Sequence, residues 1–224
     1  MPSDKVAAKR TAKAEAIKAA ARQCLVERGA ASLSLREVAR NMGETSSALY
    51  RYFPNRDALL TALIIDAYND LGEAAETSAT TSKGNPAPER IVELASVIRS
   101  WALTHAHEYA LIFGSPIPNY EAPESTIPAA SRIPSALASI LGSTELRNQP
   151  FGQHILPVSV LNDENLAQLL PNSSFDVQAR CLLVWSSIFG LISFELFGHF
   201  VGSVIDAETY FQSAVFDLAQ HLGL

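Results

Sequence analysis

An all-α fold is predicted for this chain. Apolar residues recur at helical spacing along most of its 224 residues, and glycines and hydroxyl or acidic residues stand where helices would stop and start. Composition agrees: 48% hydrophobic against 18% charged residues leaves ample material for a core and excludes a disordered chain. At this length a small domain followed by a larger one is the natural division.

The elements read in order as follows. Ile17, Ala20, Ala21, Cys24 and Leu25 mark a first helix from about Lys9 to Arg28, stopped by Gly29. Ser34 sits at an N-cap position with Glu37 three residues on, as in a capping box, and Leu35, Val38, Ala39 and Met42 form the stripe of a short second helix. Gly43 ends it in a tight turn, Thr45 or Ser46 caps a third helix through Leu49, Tyr50 and Phe53, and Pro54 closes that one. A longer helix runs from Arg56 to about Glu76 on Leu59, Leu60, Leu63, Ile64, Ala67 and Leu71, joined to what precedes it without a flexible linker. After a polar loop over Thr77–Pro88, Ile91, Leu94, Ala95, Ile98, Trp101 and Ala102 mark a helix from Glu89 to about His105.

Five prolines between Pro116 and Pro134 then interrupt regular structure, and helix returns near Ser135–Leu141. The stretch Pro150–Pro171 is poorly patterned and expected to hold one or two short helices. Asp176 is read as the cap of a long helix apolar on more than one face, through Cys181, Val184, Trp185, Ile188, Phe189, Ile192, Leu196 and Phe200. Asp206 begins the last helix, striped by Phe211, Ala214, Val215, Leu218 and Leu222. The total is about nine helices. The expected division is a three-helix helix-turn-helix domain over residues 1–57 and a larger helical domain over 58–224.

Net charge is −6, but it is unevenly spread. Residues 1–57 carry 11 Lys and Arg against 6 acids, a net of +5, so the rest of the chain carries −11. That asymmetry points to a polyanion partner at the N-terminal end; a solvated charged face is the plainer alternative. Two cysteines in apolar helical patterns and the lack of a basic, then apolar, leader fit a reducing cytoplasm. The run Cys181–Val201 is apolar, yet Glu195, His199 and three serines interrupt it, which argues against a membrane span.

The helix–turn–helix between Leu33 and Phe53 has the form that places its second helix in the major groove of DNA. Leu35-Arg36-Glu37-Val38-Ala39, Gly43, and the run Ala48-Leu49-Tyr50-Arg51-Tyr52-Phe53-Pro54-Asn55-Arg56-Asp57-Ala58-Leu59-Leu60 resemble the N-terminal domain of the TetR family across residues 10–62. Further on, Trp101-Ala102-Leu103-Thr104-His105 with Tyr109, and Trp185 with Phe194-Glu195-Leu196, resemble ligand-domain helices of actinobacterial-type members.

The resemblance implies a homodimer that binds a palindromic double-stranded DNA operator, usually as a repressor, and leaves it when a small apolar or aromatic effector in the body moves the fourth helix. Thr45, Ser46 and Ser47 match positions that reach into the groove, Tyr50 the tyrosine that bridges base edge and backbone, and Tyr52 and Arg56 positions that contact phosphate. Arg36 carries the bidentate guanine-reading capacity near the reading helix, and Ser34 can cap while donating to a phosphate. Packing in the small core is the duller role for Tyr50 and Tyr52, and capping for the hydroxyls. Glu44 departs from the family, which usually has an apolar residue there; it must point away, pair with an Arg such as Arg40, or help set specificity. Ala48 replaces a residue that is often Gly or Thr.

Effector-pocket candidates are Trp101, His105, Tyr109, Phe113, Trp185 and Phe189, each of which could equally be core. Dimer-interface candidates are Ser186, Gly190, Ser193, Phe211, Val215 and Leu218 on the last two helices, small residues allowing close approach. No enzyme, cofactor or metal is expected: His105 and His107 point to different sides of a helix, and no phosphate-cradling loop or nucleophile elbow occurs. The alternative function is an all-helical ligand-binding or interaction module with a vestigial head.

Overall fold

The structure is a computed structural model that describes residues 2–143, 166, 168–170 and 174–221. It is all-helical, with no β-strand among the described residues. The helices are α1 (Pro2–Arg28), α2 (Leu35–Asn41), α3 (Ser46–Tyr50), α4 (Arg56–Thr81), α5 (Ala87–Thr104), α6 (Ala106–Phe113), α7 (Ile127–Ala130), α8 (Arg132–Leu141), α9 (Phe175–Leu196) and α10 (Ala207–His221). The irregular stretch at 150–171, apart from residues 166 and 168–170, and the stripe residue Leu222 lie outside the described residues.

Two compact units form. The first is residues 1–68 with 105–127, the second 69–104 with 128–224. The expected boundary at residue 57 therefore moves, for a packing reason. Leu59, Leu60, Leu63 and Ile64 of α4 and Leu111 of α6 are buried in one cluster with Ile17, Leu25, Leu35, Val38 and Leu49. Ile112, Ile117 and Tyr120 pack against it, and Tyr120 and Thr61 share a hydroxyl hydrogen bond of 3.0 Å. Ion pairs edge the same unit, with Asp66 taking both Lys18 (2.6 Å) and Arg22 (2.8 Å).

In the second unit α5 packs against α8, α9 and α10, burying Ile91, Leu94 and Ile98 with Ile133, Ile140, Val184, Ile188, Phe211 and Val215. Arg132 forks onto Glu76 at 2.8 and 2.7 Å. Gly72 makes room for it, since a Cβ there would lie 2.7 Å from Arg132 Cβ. Residues Val177–Leu196 are long and apolar enough to cross a membrane; here they form a helix that buries one face, with Val184, Ile188 and Ile192, in the second unit and whose Glu195 meets Arg99.

Local signals mostly match. Ser34 Oγ accepts from Glu37 N at 3.3 Å, and Asp206 Oδ1 accepts from Thr209 N at 3.1 Å at the start of α10. The long helix α9 is capped instead by Ser174, whose Oγ accepts from Val177 N, and Asp176 lies inside the helix. The prolines at 128 and 134 fall in the first turns of α7 and α8, where no intrahelical N–H is lost, so helix appears where interruption was expected.

Cys24 and Cys181 are buried, and burial pushes the Cys181 thiol up to about 11 and raises Cys24 as well. Thiolate is the reactive form. Neither thiol is therefore expected to titrate with a disulfide reagent in native protein at pH 8, while both react in guanidinium; rapid native labelling of Cys181 would contradict the packing of α9.

Candidate nucleic-acid interface

The turn between α2 and α3 is a Schellman motif: Glu44 N–H donates to Ala39 O at 2.9 Å and Gly43 N–H to Arg40 O at 3.1 Å. Gly43 takes φ +65°, with open space around it, so the backbone conformation alone requires glycine. Thr45 caps α3 through its backbone, its Oγ1 lying 3.1 Å from Ser47 Oγ rather than bonding the helix end. Leu49 is fully buried and Phe53 nearly so, which pins α3 from beneath.

The outer face then holds Thr45, Ser47, Tyr50 and Arg51, all exposed, with Ser46 half-buried. Tyr50 is 46% exposed, so it is not a core ring. Tyr52 is partly buried against the head core, and its other side lines a groove. That groove, of about 970 Å³, is bordered by Lys5, Lys9, Arg10 and Lys13 of α1 together with Arg51. Such cations attract phosphate without reading sequence.

The groove's cations were not singled out from the sequence, although Lys5, Lys9 and Lys13 at intervals of four lie on one helix face, and that spacing was the available signal. α1 also starts at Pro2, seven residues before the expected Lys9, and so carries this row.

Arg36 is exposed in the first turn of α2. Glu44 is ion-paired with Lys13 across the head, not with Arg40, which sits 3.4 Å from Glu37. Its carboxylate is thus neutralised at the groove edge. Arg56 has a different environment from the one expected: Nε donates to Leu33 O at 3.0 Å, Nη2 to Ala30 O and Ala31 O at 3.0 and 3.3 Å, and Nη1 faces Asp57. The guanidinium clasps the turn that leads into α2 through Nε and Nη2, which leaves Nη1 beside Asp57.

Residues 17–63 match the model of bacterial regulatory proteins of the tetR family, and residues 91–218 match the tetracyclin repressor-like C-terminal domain. The chain belongs to the TetR family. This TetR-family protein is 35% identical over 214 residues, 89% of each chain, to the HTH-type transcriptional regulators Rv1816 of Mycobacterium tuberculosis and Mb1846 of Mycobacterium bovis. Its fold is similar to that of the regulatory protein SCO4313 (TM-score 0.76, 30% identity, 94% of this chain and 96% of that one). It is also similar in fold to the TetR family regulator PfmR of Thermus thermophilus (TM-score 0.60, 17% identity, 91% and 97%). TetR-family proteins are transcriptional regulators and not enzymes.

The effector-pocket candidates of this TetR-family chain divide between the units. His105, Tyr109 and Phe113 belong to the first, where Tyr109 is wholly buried with its ring centroid 5.3 Å from that of Phe113. Trp101, Trp185 and Phe189 belong to the second: Trp101 Nε1 donates to Asp70 at 2.6 Å, and the Trp185 and Phe189 ring centroids lie 4.4 Å apart. Among the described residues no cluster of His, Cys, Asp or Glu could hold a metal ion.

Proposed function

We propose that this regulator acts in the cytoplasm as a homodimeric repressor that binds a palindromic operator through α3 and leaves it when a small apolar or aromatic effector binds. The observation that carries the reading is the outer face of α3: hydroxyls and a 46% exposed Tyr50 over a buried Leu49, flanked by the α1 cations. Thr45, Ser46, Ser47 and Arg36 read bases; Tyr50, Tyr52, Ser34 and Arg51 dock on phosphate. Arg56 contributes by holding the turn in place. An unpaired acid at Glu44 would repel phosphate and favour a vestigial head, but Glu44 is paired with Lys13, which speaks against that alternative.

Two heads about 34–36 Å apart would meet successive major grooves on one side of the duplex. For the second copy, α9 offers an exposed stripe at helical spacing, Leu183, Ser186, Gly190, Phe194 and Phe197, and at Gly190 a Cβ would meet nothing within 4 Å. Ser186 and Gly190 therefore stay as interface candidates, with the half-buried Ser193 and Leu218 at the margin. Phe211 and Val215 do not: they are 2% and 0% exposed inside the protomer, packed in the core that α10 shares with α5.

Footprinting on the intergenic DNA beside the gene, repeated across a salt series, tests the reading. Log affinity should fall linearly with log salt. Arg36→Ala should reduce discrimination between operator and mismatched DNA by about 1–3 kcal/mol, while Arg51→Ala weakens all sequences alike and lowers the salt slope by about one. Protection that is absent at low salt would overturn the proposal.

A further inference from the structure

Arg90, in the first turn of α5, is 8% exposed, yet no carboxylate among the described residues pairs with it. Among the described residues its guanidinium makes one hydrogen bond, Nη1 to Ser143 Oγ at 3.2 Å, and its Nε is buried without a partner. Arginine cannot shed its proton in a protein, so a buried, unpaired guanidinium carries its desolvation cost unrelieved unless an anion arrives. Arg90 borders a cleft of about 660 Å³, a volume suited to a small molecule, whose walls also carry Lys83 and the hydroxyls of Thr80, Ser135, Ser139 and Ser143.

The acid on this wall, Glu76, is already committed. Arg132 holds both its oxygens, which leaves Lys83 and Arg90 as positive charges with no carboxylate partner among the described residues. A second buried polar atom without a partner, Ser82 Oγ, sits in the α4–α5 connection that supplies Lys83. The Ser139 and Ser143 hydroxyls donate to the Ala136 and Ile140 carbonyls, so the donors offered to a ligand are the two cations with Thr80 and Ser135; together they make an oxyanion receptor, because a guanidinium fork matches the two oxygens of a carboxylate or phosphate.

We propose that this cleft binds a small metabolite through its carboxylate or phosphate group, with Arg90 as the buried anchor, Ser143 orienting it, and Lys83 at the rim. The assignment lies within the second unit and does not depend on the DNA reading, because its test is a melting temperature rather than operator binding.

The full-length protein is titrated with inorganic phosphate and, separately, with hexanoate, ionic strength being held constant with chloride. At a hundredfold excess over Kd, binding raises Tm by about 5–10 °C for a chain of this size. The expected result is a saturable rise with one or both anions, lost in Arg90→Met and shifted several-fold to higher concentration in Lys83→Gln. Phosphate alone or hexanoate alone identifies the headgroup. Should Arg90→Met fail to fold, Lys83→Gln and Ser135→Ala at the same cleft still report the loss of affinity. The proposal is overturned if neither anion raises Tm saturably, or if the variants respond as the wild type does.

Discussion

Replacing Glu195 by Gln should destabilise the second unit by up to about 3–5 kcal/mol, the cost of leaving one member of a largely buried ion pair without its partner. Arg99 and Glu195 meet in a two-pronged pair, 2.7 Å from Nε to Oε2 and 2.6 Å from Nη2 to Oε1, with both side chains about 15% exposed. Arg99 also lies over the Phe211 ring, 5.6 Å from its centroid, so the guanidinium has no easy route to water. The hydrogen bonds that Arg99 donates to Glu195 raise the Arg99 pKa. In a protein whose net stability is about 5–15 kcal/mol, that loss is a large share, and Tm should fall by roughly 6–20 °C. Arg99→Met should cost a similar amount, whereas the double variant Arg99→Met with Glu195→Leu should recover most of it, because desolvation is then relieved on both sides. Thermal melts of the four proteins settle the matter; single variants that each lose under about 1 kcal/mol would mean the pair behaves as a surface bridge.

The second large effect concerns Arg56→Met, which should weaken operator binding strongly while also lowering head stability. Three carbonyls, those of Ala30, Ala31 and Leu33, lose a charged donor, and each such hydrogen bond is worth about 1.5–3 kcal/mol. The turn that positions α2 then loosens, and α3 with it. Arg56→Lys should restore little, since an ammonium cannot reproduce the planar fork across two turns of backbone. The salt dependence separates clasp from contact. Loss of a phosphate contact lowers the slope of log affinity against log salt by about one, but loss of a clasp lowers affinity and Tm together with the slope unchanged. An unchanged Tm with a shallower slope would return Arg56 to the phosphate-contact role.

The helix–turn–helix was legible because its signals are local. Ser34 with Glu37, Gly43 and the buried pair Leu49 and Phe53 each act within a few residues, and the structure satisfies each of them within the same few residues. What could not be read involved partners far apart in sequence. Lys13 reaches Glu44 across 31 residues, and Arg56 reaches Ala30 across 26, whereas the sequence left Glu44 with three open roles and gave no sign of the carbonyls that Arg56 holds. The helix α6 escaped notice because its eight residues follow α5 almost at once, and the break at His105 has no Pro or Gly to mark it. Phe211 and Val215 were expected at the dimer face because an apolar stripe does not say whether its own chain or a second one covers it.

The last turn of α6 and the segment after it place Leu111, Ile112, Ile117 and Tyr120 against a core whose other buried members end at Ile64. A chimera that swaps the first 57 residues between relatives would therefore inherit the recipient's Leu111 and Tyr120 beneath a foreign α1 and α2. Recombination between such genes is constrained to exchange two separated stretches together, or else to keep the side chains at residues 111–120 matched to the imported head. In this chain the reading head is not a cassette: about fifty residues downstream of its last buried leucines, the sequence is still writing its floor.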